Sequence, residues 1–155
     1  TTTVEGSYYF NYEYKDITGD MVIARGMQNA QTGIVPPLPK LKANLRLNWF
    51  KDKHSASLSA NYRHHVVFDD RVTDRYGDGW AKLSNRLIDS ETITNAQYAY
   101  VFDKYLKSEI TLSAGISNLF DTRPQRLPII GGFETRLSTP WGRQFWVSID
   151  WQPGA

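Results

Sequence analysis

Two adjacent imidazoles, His64 and His65, are the first residues of this sequence to invite a chemical reading, because neutral imidazole is a common ligand for metals and haem iron. Neighbours on an extended strand point to opposite faces, so the pair is not expected to chelate one ion together, and neither has a partner ligand close in sequence. Four carboxylates, Asp69, Asp70, Asp74 and Asp78, share a stretch with Gly77 and Gly79. Oxygen-rich loops of this kind hold calcium, but the spacing fits no EF-hand, and solvated loop acids are the expectation. Lys40, Lys42 and Arg46 recur at even positions and would make one basic wall that attracts anionic solutes. Pairing with carboxylates such as Glu13 explains them equally well. Four aromatics in irregular stretches, Tyr76, Trp80, Phe133 and Trp141, are placed to stack on a ligand. A phosphate-binding glycine loop, a zinc-protease motif and a serine nucleophile elbow are all missing, so no enzyme activity, cofactor or metal is expected.

The elements that must position these residues show one dominant rhythm, a period of two. From Lys40 to Phe50, Leu41, Ala43, Leu45, Leu47 and Trp49 alternate with Lys40, Lys42, Asn44, Arg46 and Asn48. Wound as a helix, the same residues would scatter apolar and charged groups round the whole circumference, so a strand is predicted. The rhythm returns in Ala56, Leu58, Ala60 and Tyr62, in Ile110, Leu112, Ala114 and Ile116, and in Phe145, Val147, Ile149 and Trp151, with Trp146 the exception on the polar side. Two less regular segments, Val4 to Lys15 and Thr92 to Phe102, bring the expected total to about six strands.

The connections alternate in length. Lys51 to His54 and Asp103 to Lys107 read as short polar turns, whereas Ile17 to Pro39, Phe68 to Ser90 and Asp121 to Trp141 are long and irregular. Loops of that length are uncommon in compact soluble domains. Net charge is only +2, with both signs interspersed, which gives no basic stripe and no expected nucleic-acid partner. Cysteine is absent, and no apolar run approaches the roughly 20 residues of a membrane helix. That test leaves a β-barrel untouched, because alternating strands have low mean hydropathy. Aromatics reach 14% of the 155 residues while charged residues are 22%, a mix suited to amphipathic strands with aromatic ends.

Strands of this length match the roughly 9 to 11 residues that cross a bilayer at a tilt, and short turns on one side with long loops on the other describe a transmembrane barrel whose long loops face the cell exterior. In that arrangement Trp49, Phe102 and Trp151 fall at the short-turn end as an aromatic girdle, and outer-membrane lipid becomes a partner. A soluble sandwich or closed soluble barrel would use the same aromatics as core.

Ser113-Ala114-Gly115-Ile116-Ser117-Asn118-Leu119-Phe120-Asp121 resembles the penultimate strand of TonB-dependent outer-membrane receptors, which closes on an Asn-Leu-Phe-Asp motif before a loop. Pro140-Trp141-Gly142-Arg143-Gln144-Phe145 looks like the Gly-Arg lead-in to their last strand, and Pro39-Lys40-Leu41-Lys42-Ala43 is similar to a Pro-Lys strand start found earlier in those barrels. As physical devices these are punctuation: Asn118 and Asp121 can bond their own backbone, Phe120, next to Leu119 of the motif, can anchor at an interface, Gly142 permits the turn back, and Arg143 either reaches lipid phosphate or makes a lumenal ion pair. The sequence departs from the family at its tail, where Gln152-Pro153-Gly154-Ala155 follow the aromatic Trp151.

The resemblance implies an all-β, antiparallel up-and-down transmembrane β-barrel, of which residues 1 to 155 form a C-terminal fragment of about six strands. Barrels of that kind have about 22 strands and a plugged lumen, so the plug domain is expected outside this chain. Residues Thr1 to Gly6 carry no secretory signal pattern, so either a signal has been removed or the chain starts inside a longer protein. The implied function is active transport across the bacterial outer membrane of a scarce nutrient, most often a ferric siderophore, bound in the extracellular loops and driven by the TonB complex. The alternative is a small autonomous outer-membrane barrel with a structural or adhesive role, which would need further strands hidden in the long loops.

Overall fold

The computed structural model describes residues 1–29, 35–68, 87–105, 108–127 and 131–153. Ten strands follow in order: β1 (Thr2–Tyr8), β2 (Glu13–Lys15), β3 (Met21–Ile23), β4 (Leu41–Lys51), β5 (His54–Arg63), β6 (Val66–Val67), β7 (Leu87–Ile88), β8 (Glu91–Tyr105), β9 (Ser108–Ser117) and β10 (Gln144–Gln152). The described residues contain no helix. Six strands form one antiparallel sheet in chain order, β1-β4-β5-β8-β9-β10, an up-and-down meander whose two outer strands have no further partner among the described residues.

Register explains why the alternating residues matter together. Val4 opposes Leu45, Leu45 opposes Ala60, and Leu47 opposes Leu58. Further along the sheet Tyr98 lies between Ala56 and Ala114, and Leu112 opposes Ile149. Because side chains repeat every two residues, one matched pair aligns the alternating apolar residues on one face and Lys42, Asn44, Arg46, Ser57, Ser59 and Asn61 on the other. At one end the β4–β5 connection is a two-residue turn in which Asp52 takes φ 51°, a conformation that Asp tolerates better than most residues. At the other end the strand ends step down in one direction. Arg63 pairs with Glu91, the first residue of β8, whereas β9 ends at Ser117, one residue past Ile116, which faces Ala96 well inside β8. Tilted strands require such a stagger.

The predicted strand from Val4 to Lys15 is corrected by the structure. β1 stops at Tyr8, and the following residues leave the sheet to form a separate β2–β3 hairpin, with Tyr14 opposite Val22. Its turn is closed by Asp16, whose Oδ1 accepts hydrogen bonds from the Thr18 N–H (2.9 Å) and the Asp20 N–H (3.1 Å), with Gly19 at φ +89°. The Tyr12 carbonyl then accepts from the Ala24 and Arg25 N–H groups. Alternation continues across residues 8–14, but alternation does not choose the partner, and a local turn closed by several short-range bonds captures the segment. The expected short turn from Asp103 also shifts: β8 continues to Tyr105 through an irregularity between Phe102 and Tyr105.

Burial is distributed unusually. Among the described residues the buried apolar side chains are Ala24, Val35, Leu38, Val66, Phe68, Ile88 and Leu127, and these belong to the long connections. On the sheet, Leu45, Leu58 and Leu112 remain 38 to 39% exposed and Val147 70%. No described apolar side chain of the six-stranded sheet is buried.

The long connections fold together into a small crown. Gly26 N–H donates to the Leu38 carbonyl (2.7 Å), Val67 N–H to the Gly26 carbonyl (2.7 Å) and Gln28 N–H to the Val67 carbonyl (2.9 Å), while β6 pairs with β7. Buried Asn29, at φ 53°, donates its side-chain amide to the carbonyls of Ala24 (3.2 Å) and Pro36 (2.9 Å). Those bonds satisfy backbone oxygens that a proline-rich segment leaves without ladder partners.

Candidate functional site

The site is built where β9 ends and β10 begins. Asn118 and Asp121 both adopt φ 54°, which Asn and Asp accept at lower cost than most side chains. Asn118 is 4% exposed and fully engaged. Its N–H donates to Asn95 Oδ1 (3.0 Å), its side-chain amide donates to the Thr122 carbonyl (2.8 Å) and the Trp141 carbonyl (3.5 Å), and its Oδ1 accepts the Thr122 N–H (2.8 Å). Leu119 N–H continues the ladder to the Thr94 carbonyl (2.7 Å), while Phe120 projects outward.

Asp121 joins the two halves of the motif. Its Oδ1 accepts the Arg143 N–H (2.8 Å) and its Oδ2 the Arg123 guanidinium (3.0 Å). The Arg143 backbone bond, followed by the Arg123 side chain, holds this carboxyl below the usual carboxylate range. A Cβ at Gly142 would stand 2.5 Å from Asp121 Oδ1 and 2.6 Å from the Arg123 guanidinium carbon, so any larger residue would push these two side chains out of their present positions. Arg143 therefore acts here through its backbone N–H, with its side chain exposed. The consequence is positional: the segment before β10 is pinned with Trp141 at the rim of a cleft.

That cleft has a volume of about 640 Å³ and lies on the polar face beneath the segment 137–142. Its floor includes Lys42 and Asn44 of β4, Asn61 and Arg63 of β5, Glu91 and Asn95 of β8, and Glu5 of β1. Arg63 and Glu91 face each other at 3.9 Å with side chains 12 and 14% exposed, so this ion pair is shielded by the loop above it. With Glu5 and Lys42 added, the lining carries two cations and two carboxylates. A second groove of about 390 Å³, lined by Arg46, Ser57, Gln97 and Trp146, meets the first at Asn95 and Ser117.

Of the residues expected to form a basic wall, Lys42 and Arg46 share the polar face of β4 and Lys40 stands apart from them. Lys42 lines the upper cleft and Arg46 the lower groove, whereas Lys40 precedes β4 and lays its stem against Gly26. Of the four loop aromatics, Trp141 is at the cleft, Phe133 is half-buried in the turn after Gly132 and lines neither groove, and Tyr76 and Trp80 lie outside the described residues, as do Asp69, Asp70, Asp74 and Asp78. On the apolar face, Phe102 and Trp151 both oppose Ile110, and Trp49 opposes Ala56, whose other neighbour is Tyr98. Trp49, Phe102 and Trp151 are all exposed, 45 to 65%.

The strand argument about His64 and His65 does not hold. β5 ends at Arg63, both histidines lie in the connection, and their rings approach to 4.0 Å. His64 Nδ1 bonds the Tyr62 hydroxyl (2.9 Å), and burial, then His64 and Lys40, pushes His65 below the ordinary histidine range. No metal-ligating cluster occurs among the described residues.

Comparison with protein-family models, curated proteins and solved structures gives no match. Two features escaped the sequence reading. Trp146, out of step on the polar face, lies over Gly115, where a Cβ would come within 2.3 Å of its ring. An indole covering a cross-strand glycine is a signal that pairing makes plain and sequence alone does not. Glu134, 7% exposed, ties the third connection to the first, taking hydrogen bonds from the Arg136 guanidinium (2.8 and 2.9 Å) and the Gln28 side-chain amide.

Proposed function

We propose that this chain is the C-terminal wall of a TonB-dependent receptor in the bacterial outer membrane. The observation that carries the reading is an inversion of polarity. The loops that fold over the sheet roof its polar face, and the apolar face, from Val4 to Trp151, has no covering layer among the described residues. A soluble sandwich would do the reverse. Hydrocarbon satisfies such a face directly, while the polar face then lines a lumen. The stagger of strand ends and the alternation of a two-residue turn with long connections favour the same architecture, and the Asn118–Asp121 and Gly142–Arg143 elements that prompted the resemblance are joined by the Asp121 carboxylate.

On this reading the crown contributes to binding a scarce nutrient from outside, with a ferric siderophore the class the resemblance implies. Energy from the inner-membrane TonB complex, acting through a plug domain beyond this chain, releases it inward. The test is fractionation of the native protein followed by uptake. It should resist extraction with carbonate and sediment with outer membranes, and its deletion should abolish growth on one iron complex as sole iron source. Recovery in the soluble fraction would overturn the membrane assignment, and unimpaired growth on every iron source would overturn the nutrient.

A further inference from the structure

The cleft beneath Trp141 has chemistry of its own that points to a ligand class. Lys42 and Arg63 are matched by Glu5 and Glu91, so its field is neutral and gives no preference to an anion. What remains unengaged is amide. Asn44 and Asn61 are direct cross-strand partners, both exposed in the cleft floor, and neither makes a side-chain hydrogen bond to another described residue. Each carries a carbonyl acceptor and an amino donor side by side, the arrangement that matches a pair of neighbouring hydroxyls.

Above them the Trp141 indole is 67% exposed, yet its backbone is fixed by Asn118 and by Gly142 against Asp121. An open indole on an anchored backbone, with unengaged amides in the floor of the same cleft, suits a ligand with one face of C–H groups and an edge of hydroxyls, because the indole's electron-rich face attracts the polarised C–H groups. The lower groove offers further hydroxyl and amide groups in Ser57, Ser59 and Gln97, a second indole, Trp146, and one cation, Arg46, and continues from the first at Asn95 and Ser117. The volume, about 640 Å³, is in the range of pockets for ligands of a few hundred daltons.

We infer that this cleft binds a neutral oligosaccharide, with one sugar ring stacked on Trp141 and its vicinal hydroxyls held by Asn44 and Asn61, and that the Trp146 groove takes the next residue along the polar face. The inference rests on the receptor reading for the direction from which the ligand arrives, but binding itself does not require it.

The test is calorimetric titration of the intact protein, purified from its native fraction, with maltotriose, cellotriose and laminaritriose, and with an anionic ferric tris-catecholate for comparison. At least one trisaccharide should bind with a Kd of about 1 mM or tighter. Trp141→Ala and Asn61→Ala should each weaken it roughly tenfold or more, a change of about 1.4 kcal/mol. Trp141→Phe should retain most of the affinity, and Phe133→Ala should leave it unchanged. Failure of all three sugars to bind the wild-type protein, or equal affinity in Trp141→Ala, overturns the inference. Binding of the catecholate alone would leave the receptor standing without it, and sugar binding by a protein found in the soluble fraction would do the opposite.

Discussion

The six-stranded sheet and the crown of long connections draw on the same apolar residue types and treat them in opposite ways. In the crown, Val66 and Ala24 are 0% exposed and Phe68 2%, packed where the three connections meet. In the sheet, chemically equivalent Val147 and Phe145 are 70 and 73% exposed, although they sit in the most regular part of the molecule. Marginal packing cannot account for this, since the sheet has the longer strands and the denser hydrogen bonding. The crown folds as water-soluble proteins do, by hiding carbon from water, whereas the sheet offers carbon outward; on the proposed reading the two regions are matched to different solvents.

The sharpest way to break the comparison is to damage the crown alone. Phe68→Ala should cost about 3 to 5 kcal/mol of local stability. Hydrogen exchange at the Gly26 and Val67 amides should accelerate accordingly, with the central amides of β5 and β9 unaffected. Acceleration throughout the sheet would mean that the two regions form one cooperative unit.

A pair of neighbouring substitutions probes the sheet. Leu112→Arg places a charge on the apolar face and should cost about 2 to 4 kcal/mol of folding stability in lipid vesicles. Ser113→Arg, one residue on and facing the other way, should cost a small fraction of that. Equal costs would show that the two faces see the same medium.

The smallest effect comes from Glu134. Burial pushes its carboxyl up, but the bonds from Arg136 and Gln28 outweigh burial and leave it below the ordinary glutamate range. A depressed folded value means stability that is present above the unfolded pKa and is lost as pH falls through the folded one. Exchange at the Leu137 and Ser138 amides, which donate to the Glu134 carbonyl at 3.1 Å, should therefore quicken on acidification through the carboxylate range. Glu134→Gln should remove that dependence, and an unchanged acid limb in the variant would assign it to another group.

The same contrast explains what could be read from sequence. Alternation in Leu41–Trp49, Ala56–Tyr62, Ile110–Ile116 and Phe145–Trp151 located four strands and their faces, because period two follows from backbone geometry alone. It also placed Lys42 on the polar face, and the count of loop aromatics named Trp141; both residues line the cleft. Choice of partner was not legible. Residues 13–15 continue the alternation of β1 yet pair with β3, and the strand logic applied to His64 and His65 failed because β5 had already ended. The crown carries no periodic signal at all, since its order comes from single bonds such as those of Asn29 and Glu134 across large separations in the chain. Likewise Gly115 and Trp146 become a pair only once β9 and β10 are in register.

The most direct test of the account uses its own indoles. Variants retaining a single tryptophan, at Trp151 on the outward face or at Trp146 on the polar face, would be placed in bilayers whose acyl chains carry bromine. Contact quenching should extinguish most of the Trp151 emission and spare Trp146. Equal quenching of the two, or a Trp151 that bromine does not reach, would contradict the claim that the apolar face meets hydrocarbon.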